Sequence, residues 1–367
     1  MVGPEKTFRT KEVPMEDVIR RIAALEKKEQ GIILDTVLDG SDGRGTAAFL
    51  RYLKSATPES KQALMAKLPL NTAQWAEEAM SKLKPAGEAD ARKIEKKLAR
   101  ALERLPQLVK RMEAATRKAA KRIAKNREMI RSHFNALERI ISDQQKGLPR
   151  GDLQKPVSAG AEIIDLPPPD SVKPVTADIS ECVAKRQSRR KFSPEPISLG
   201  ELSYLLWATQ GVRKVLGGGK AALRHAPSGG NMHPLETYIA ANRVEGLKPG
   251  LYRYLPLNHK LAFLLTIKNQ AKALSRAALG QDFVGDCGAT FIWSAVPYRS
   301  EWRYTIEAAK LVLLDAGHVC QNLYLACEAL GLGTCAIGAY DQKKFNSLCK
   351  LDGVDEMVVY AAPVGRV

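Results

Sequence analysis

Residues 186–192 gather side chains that suit an oxyanion: Arg186-Gln187-Ser188-Arg189-Arg190-Lys191-Phe192. Guanidinium forks and a hydroxyl make charge-assisted hydrogen bonds to a phosphate dianion. The same run also fits the solvated basic end of a helix. A second stretch, Pro227-Ser228-Gly229-Gly230-Asn231-Met232-His233-Pro234-Leu235-Glu236, is of another kind. Proline and glycine set a tight loop in which backbone and short polar groups can approach a planar ring. Ser228 and Asn231 offer hydrogen bonds to ring or chain oxygens. The bland alternative is a turn before a strand.

Two more stretches follow. Trp302-Arg303-Tyr304 precedes an apolar helical run containing Leu313-Leu314-Asp315-Ala316-Gly317-His318 and Gln321-Asn322-Leu323. His318 is expected to be a structural residue on a buried helix rather than a catalytic base. Gly331-Leu332-Gly333-Thr334-Cys335-Ala336-Ile337-Gly338-Ala339-Tyr340-Asp341 comes last. Its Gly331, Gly333 and Ala336 satisfy a dinucleotide fingerprint, but that motif must follow a strand and open a helix, and here a helix precedes it. Gly217-Gly218-Gly219-Lys220 lacks the hydroxyl residue of a P-loop, since Ala221 follows. It is expected to be a flexible loop near the site.

Taken in order, the four stretches resemble the nitroreductase family, and within it the SagB-type dehydrogenase branch. The resemblance covers about Arg186 to Asp341, and the Tyr360–Gly365 stretch is similar to the family's last strand. It implies an FMN cofactor. Arg186, Ser188 and Arg190 would hold the phosphate, and Pro227, Ser228, Gly229 and Asn231 would face the ring and ribityl chain. Backbone at Ile337, Gly338 and Ala339 would lie against the flavin, with an N–H at N5. Arg366 is a further phosphate candidate. A homodimer with FMN at its interface is implied, with NAD(P)H as a potential electron donor. Tyr304 and Arg303 occupy the place of a Lys-Tyr pair in thiazole and oxazole oxidases. The tyrosine is kept, but arginine cannot serve as a neutral base. The implied substrate is a small molecule or a modified peptide such as an azoline.

These motifs need an α+β scaffold, and the pattern from about Ile179 onward supports one. Tyr238–Ala241, Leu251–Tyr254, Leu261–Leu264, Thr290–Val296 and Met357–Ala361 read as strands, the second and third forming a hairpin around Asn258. Helices are expected at Ile179–Arg190, after Ser198, at Trp302–Leu330 and at Lys343–Cys349. The fold expected is a nitroreductase-like FMN domain over 179–367, a mixed sheet flanked by helices. Residues 151–178, with Pro167-Pro168-Pro169, suggest a linker or a strap. Residues 1–150 show helical periodicity and suggest an all-helical domain of unassigned role. Stripes there include Val18, Ile19, Ile22 and Leu25, then Phe49 to Leu68 around a Thr57-Pro58 helix start. A long charged helix from Ala89 to Gln145 is expected to kink or divide at Pro106.

The 367 residues carry a net charge of +17. Residues 1–160 hold 33 Lys+Arg against 21 Asp+Glu, and 92–131 alone hold 15 against four. Such a face is either plainly solvated or a dock for an acidic partner. Few aromatics and no recognisable motif argue against nucleic acid. All six cysteines follow residue 180 without a zinc spacing, so free thiols and no metal are expected. Met1–Thr10 is polar, and Leu311–Leu330 is too interrupted to span a bilayer, so a cytoplasmic protein away from the membrane is expected. Three functions compete: a flavoenzyme acting on a small or peptide-borne substrate, an NAD(P)H-dependent nitro or quinone reductase, and a basic helical binding protein with a vestigial flavin domain.

Overall fold

The computed structural model describes residues 87–172 and 178–367, with scattered positions between 22 and 85. The chain divides into two compact units, Met1–Lys125 and Asn126–Val367. Val18, Ile19, Leu64 and Leu68 lie outside the described residues. Helix α1 spans Glu88–Glu128 with Pro106 inside it, undivided. Its Ala, Leu, Lys, Arg and Glu content favours helix strongly enough to absorb one lost N–H. Ile94, Leu102 and Leu105 form its buried stripe, and beyond Leu108 it is largely exposed. It ends well before Gln145, where a loop and a 3-10 turn (Phe134–Arg139) take over.

The second unit is built on β1 (Ile163–Asp165), β2 (Val212–Leu216), β3 (Ala221–Arg224), β4 (Leu235–Ala241), β5 (Gly250–Leu255), β6 (Lys260–Leu265), β7 (Ala289–Ala295), β8 (Leu332–Thr334) and β9 (Met357–Arg366). Its helices are α2 (Ile179–Lys185), α3 (Leu199–Gln210), α4 (Gln270–Ala277), α5 (Tyr298–Tyr304), α6 (Ala308–Ala329) and α7 (Gln342–Cys349). Seven strands form one sheet in the order β1-β6-β5-β4-β7-β9-β8, while β2 and β3 make a separate hairpin. The expectation of a mixed sheet is corrected: every named pair is antiparallel. Parallel pairing is confined to single bridges, Ser188 with Thr334 and Ile197 with Val244. The β4–β5 and β5–β6 links are short hairpins, and the helical connections return the chain antiparallel to its neighbours.

Both faces of the sheet are covered. On β4, Leu235, Ile239 and Ala241 face one core with Leu202, Leu205 and Leu206 of α3 and Val319 and Leu323 of α6. The intervening Tyr238 and Ala240 face the other, with Leu274 of α4 and Phe345 of α7. This period of two explains why the central strands are apolar throughout. Helix α3 starts with a full capping box between Ser198 and Glu201. Helix α2 stops at Lys185, freeing Arg186–Arg190 from the expected helix.

Residues 151–167 strap the sheet, and β1 joins its edge against β6. Beneath the strap lie charges that must be paired. The Arg299 Nη2–Glu236 Oε1 pair is 2.5 Å long, with side chains only 4% and 2% exposed. Glu236 also accepts the Lys155 N–H at 2.9 Å. The buried guanidinium of Arg253 donates to Lys155 O and Pro156 O, and that of Arg224 to Leu153 O. Glu356 accepts the hydroxyls of Tyr238 and Ser294. Glu236→Ala leaves a buried guanidinium unpaired, so it is expected to lower unfolding free energy by about 3–5 kcal/mol, read as a shifted urea midpoint.

Candidate functional site

Between α5 and α6 the chain makes a sharp corner. The continuous helix expected from Trp302 to Leu330 is broken by the 3-10 turn Thr305–Glu307. Thr305 sits at φ +42°, a strained setting for a β-branched residue. The turn is anchored by Glu307, which accepts the His133 N–H at 2.7 Å and pairs with Lys310. This corner places Tyr304, half-buried, over the 227–234 loop. The ring stands edge-on to Phe134 at 6.2 Å, and Arg303, exposed, lies 5.3 Å over it.

The loop itself is held open in an uncommon shape. Gly230, Asn231 and His233 all have positive φ, at 58°, 60° and 48°. Such strain costs on the order of 1–3 kcal/mol per non-glycine residue and needs surrounding structure to fix it. Asp315 of α6 does so: its carboxylate accepts the Ser228 hydroxyl at 2.5 Å and the Gly229 N–H at 3.0 Å. Ser228 Oγ in turn accepts the His233 N–H at 2.8 Å. Burial raises the Asp315 pKa, opposed by those two hydrogen bonds. On the far side Arg150 donates to the carbonyls of Asn231 (2.7 Å) and Met232 (3.2 Å). His233 Nε2 lies 2.7 Å from the Asn231 amide oxygen, so that side chain is partly engaged.

A second assembly forms around β8. Ser188 bridges Thr334, and the Arg189 N–H bonds Thr334 O at 2.9 Å. Tyr324 of α6 joins the two segments through one hydroxyl: it lies 2.9 Å from Ser188 Oγ and accepts the Ala336 N–H at 2.8 Å. Arg186 stands 5.2 Å over the Tyr324 ring. Neither Arg186 nor exposed Arg190 has a carboxylate partner among the described residues, whereas Arg189 faces Glu328 at 3.6 Å. Thr334 Oγ1 is buried with no partner. The Ile337 N–H bonds Ala361 O at 2.7 Å. Gly338 and Ala339 are exposed, and a Cβ built on Gly338 meets nothing within 4 Å.

The structure therefore joins the first and fourth stretches through Tyr324, and the second and third through Asp315 and Tyr304. Pro227 lies with the second group. Arg366 is paired: its Nη2 meets both carboxylate oxygens of Glu201, at 2.9 and 3.0 Å, so its charge is offset where a phosphate would have to compete for it. His318 is exposed on α6, contrary to the buried place expected for it. Asp315, Tyr324 and Arg150 were not singled out from sequence. An acid inside an apolar helical run was the available signal for Asp315. The Gly217–Lys220 stretch is the tip of the β2–β3 hairpin, with all three glycines at positive φ. Gly331 and Gly333 lead from α6 into β8, so no helix opens there. The six cysteines are free and buried. Among the described residues there is no metal-binding cluster and no helix long and apolar enough to cross a membrane.

A Cβ on Gly230 would collide with the Tyr304 phenol. Gly230→Ala is expected to cost about 1–3 kcal/mol, and Tyr304→Ala in the same chain to recover part of it, giving a non-additive double-mutant cycle in urea denaturation. Asp315 supplies a pH test. Because burial raises its folded pKa above 3.8, folding binds an extra proton in that window, and stability falls as pH rises through the folded pKa. Asp315→Asn should flatten that part of the stability profile.

Comparison with known proteins places the second unit. The nitroreductase family pattern matches residues 183–366. A protein of Methanocaldococcus jannaschii named as a nitroreductase is 32% identical over 203 residues, 55% of this chain and 96% of that one. The trifolitoxin-processing protein TfxB of Rhizobium leguminosarum is 29% identical over 152 residues, 40% of this chain and 41% of that one. A solved structure from Anabaena variabilis, described as a nitroreductase, is 25% identical with a TM-score of 0.50, covering 59% of this chain and 44% of that one. On its fold, its ordered motifs and the span of the match, the chain belongs to the nitroreductase family.

Proposed function

We propose that this chain is an FMN-dependent oxidoreductase of the SagB-type dehydrogenase branch, acting on a peptide-borne ring or a similar substrate. The observation that carries the cofactor assignment is the pair of unmatched guanidiniums at Arg186 and Arg190 beside the Ser188 hydroxyl. Cations without counterions near an uncrowded backbone suit a phosphate dianion next to a planar ring. FMN, when bound, supplies hydride exchange at its N5 atom. Arg186, Arg190 and Ser188 would bind its phosphate. With the Ile337 N–H committed to Ala361, the N–H groups of Gly338 and Ala339 are the donors left for the ring. Arg366 has no part in this assignment.

Ser228, Gly229 and Asn231 would complete the site from a second copy. Asp315 and Tyr324 are nine residues apart on α6. That is about two and a half turns, so they lie on opposite faces, roughly 13 Å apart along the axis. Two copies can each lend one assembly to a shared flavin. The exposed stripe Leu313, Leu314, Gly317, His318 and Gln321 of α6 is the surface that supports this pairing.

Tyr304 is the proposed proton-handling group, fixed by its packing on Gly230. Arg303 would stabilise negative charge rather than remove a proton. The similarity to TfxB supports a peptide substrate. The arginine at 303 favours a second reading, an NAD(P)H-dependent nitro or quinone reductase, which needs no base at that place. In either case the basic face of α1 is proposed to dock an acidic partner.

The purified protein should be yellow and release FMN by mass. Arg186→Ala with Arg190→Ala should weaken FMN binding at least tenfold, as loss of charged hydrogen bonds predicts. Tyr304→Phe should keep FMN and lose about 10²–10⁴-fold in turnover of an azoline peptide. A protein that neither carries nor takes up FMN would remove the proposal. Anaerobic bleaching by NADPH, with no flavin reduction by an azoline peptide, would favour the reductase reading.

A further inference from the structure

A cleft of about 550 Å³ opens beside the 227–234 loop, lined by Gln144, Arg150, Asp152, Gly219, Lys220 and Trp302 among others. Three observations give it a character. First, its walls come from elements that already converge on Tyr304 and Asn231. Trp302 precedes Arg303 and Tyr304 on α5, and Arg150 holds the carbonyls of Asn231 and Met232. Second, it is rich in unspent positive charge. Lys220 is exposed and has no ion-pair partner among the described residues. Arg150 spends its Nη atoms on backbone carbonyls, one of them Lys220 O at 3.2 Å, and its Nε is buried without a partner. Burial and the nearby charges of Arg299 and Arg303 depress the Arg150 pKa, as expected where cations crowd. Asp152, exposed, is the one carboxylate in the lining. Third, Trp302 has its indole N–H committed to Leu148 O at 2.9 Å. That leaves its ring as an apolar contact, beside Leu153, in a lining otherwise of polar side chains and glycine backbone.

We propose that this cleft is an oxyanion subsite for the molecule that reacts at the flavin loop, seating a carboxylate or phosphate between Lys220 and Arg150 and an adjoining apolar portion on Trp302. The inference rests on the flavin reading above and adds the substrate's charge class to it. Arg150 forms a wall shared by the cleft and the strained loop, so an anion drawn to the cleft is held next to the reacting centre. The glycine hairpin tip puts Lys220 on a segment that can adjust to ligands of different size. An oxyanion could be an acidic group of the acceptor, including an acidic peptide, or a phosphate of a nicotinamide donor. The chemistry is shared, and the test separates the sources.

Holoprotein with chemically reduced flavin is mixed anaerobically with 4-nitrobenzoate or with its neutral counterpart 4-nitrobenzamide, and flavin reoxidation is followed. In a second arm, NADPH reduces the oxidised holoprotein. If the acceptor's anion uses the cleft, Lys220→Glu lowers the preference for the acid over the amide about tenfold, and rising salt erodes the wild-type preference. If the donor's phosphate uses it, the apparent Kd for NADPH rises about tenfold instead. Lack of both effects overturns the subsite. Failure of the flavin reading would show separately, as a protein without FMN. Calorimetric titration of 4-nitrobenzoate and of inorganic pyrophosphate into wild type and Lys220→Glu then decides the cleft alone: equal affinity in the two proteins rejects it, and loss in the variant supports it.

Discussion

A carboxylate taken out of water has to be met by donors, and the one on Asp315 is met by bending a neighbouring loop around it. The Ser228 hydroxyl and Gly229 N–H satisfy the acid, and the Ser228 oxygen then takes the His233 N–H. Three residues of the loop accept left-handed backbone as a result. Tyr304 fills the space that a side chain on Gly230 would need, so the loop and the α5–α6 corner define each other. Strain at Thr305 belongs to the same arrangement, because it turns α5 so that Tyr304 meets the loop. Much of the site geometry thus follows from one buried acid on one helix.

The other half of the support is electrostatic and lies under the strap. Arg224, Arg253 and Arg299 are almost wholly buried, and a guanidinium in that position needs acceptors. Arg299 finds the Glu236 carboxylate, Arg224 the Gln210 side-chain oxygen, and the other acceptors are carbonyls of the strap itself. Residues 151–157 are therefore held by the charges they cover, and Arg150 at the start of the strap reaches the 227–234 loop. A segment rich in proline and glycine becomes structural because its carbonyls satisfy interior arginines.

The parts legible in the sequence were those whose cause is local. Strand alternation found β4 to β7 and β9, and Ser198 marked the start of α3. The four motifs could be ordered because each needs a particular residue at a particular step. Strand β1 escaped notice, being three residues long and stabilised by pairing with β6 rather than by its own pattern. The break at Thr305 escaped too, since the apolar period continues through it and its anchor, His133, is distant in sequence. Arg366 looked available for phosphate because nothing local reveals Glu201, 165 residues earlier, as its partner. His318 looked buried because an apolar helix was assumed to hide all its faces, yet α6 leaves one stripe bare.

That bare stripe bears on how the two assemblies can cooperate. Leu313, Leu314 and Gly317 expose apolar surface and open backbone on α6, while Asp315 is buried on the side of the helix turned away from Leu313 and Gly317. A helix apolar all round is stable only if every face is covered. In this chain the sheet and α3 cover one side and the 227–234 loop part of another, which leaves the stripe exposed. A second copy meeting the first along this stripe would bury apolar area in an isologous contact. The uncovered face of α6 thus has a composition, two leucines flanking an open glycine, that favours burial over solvent.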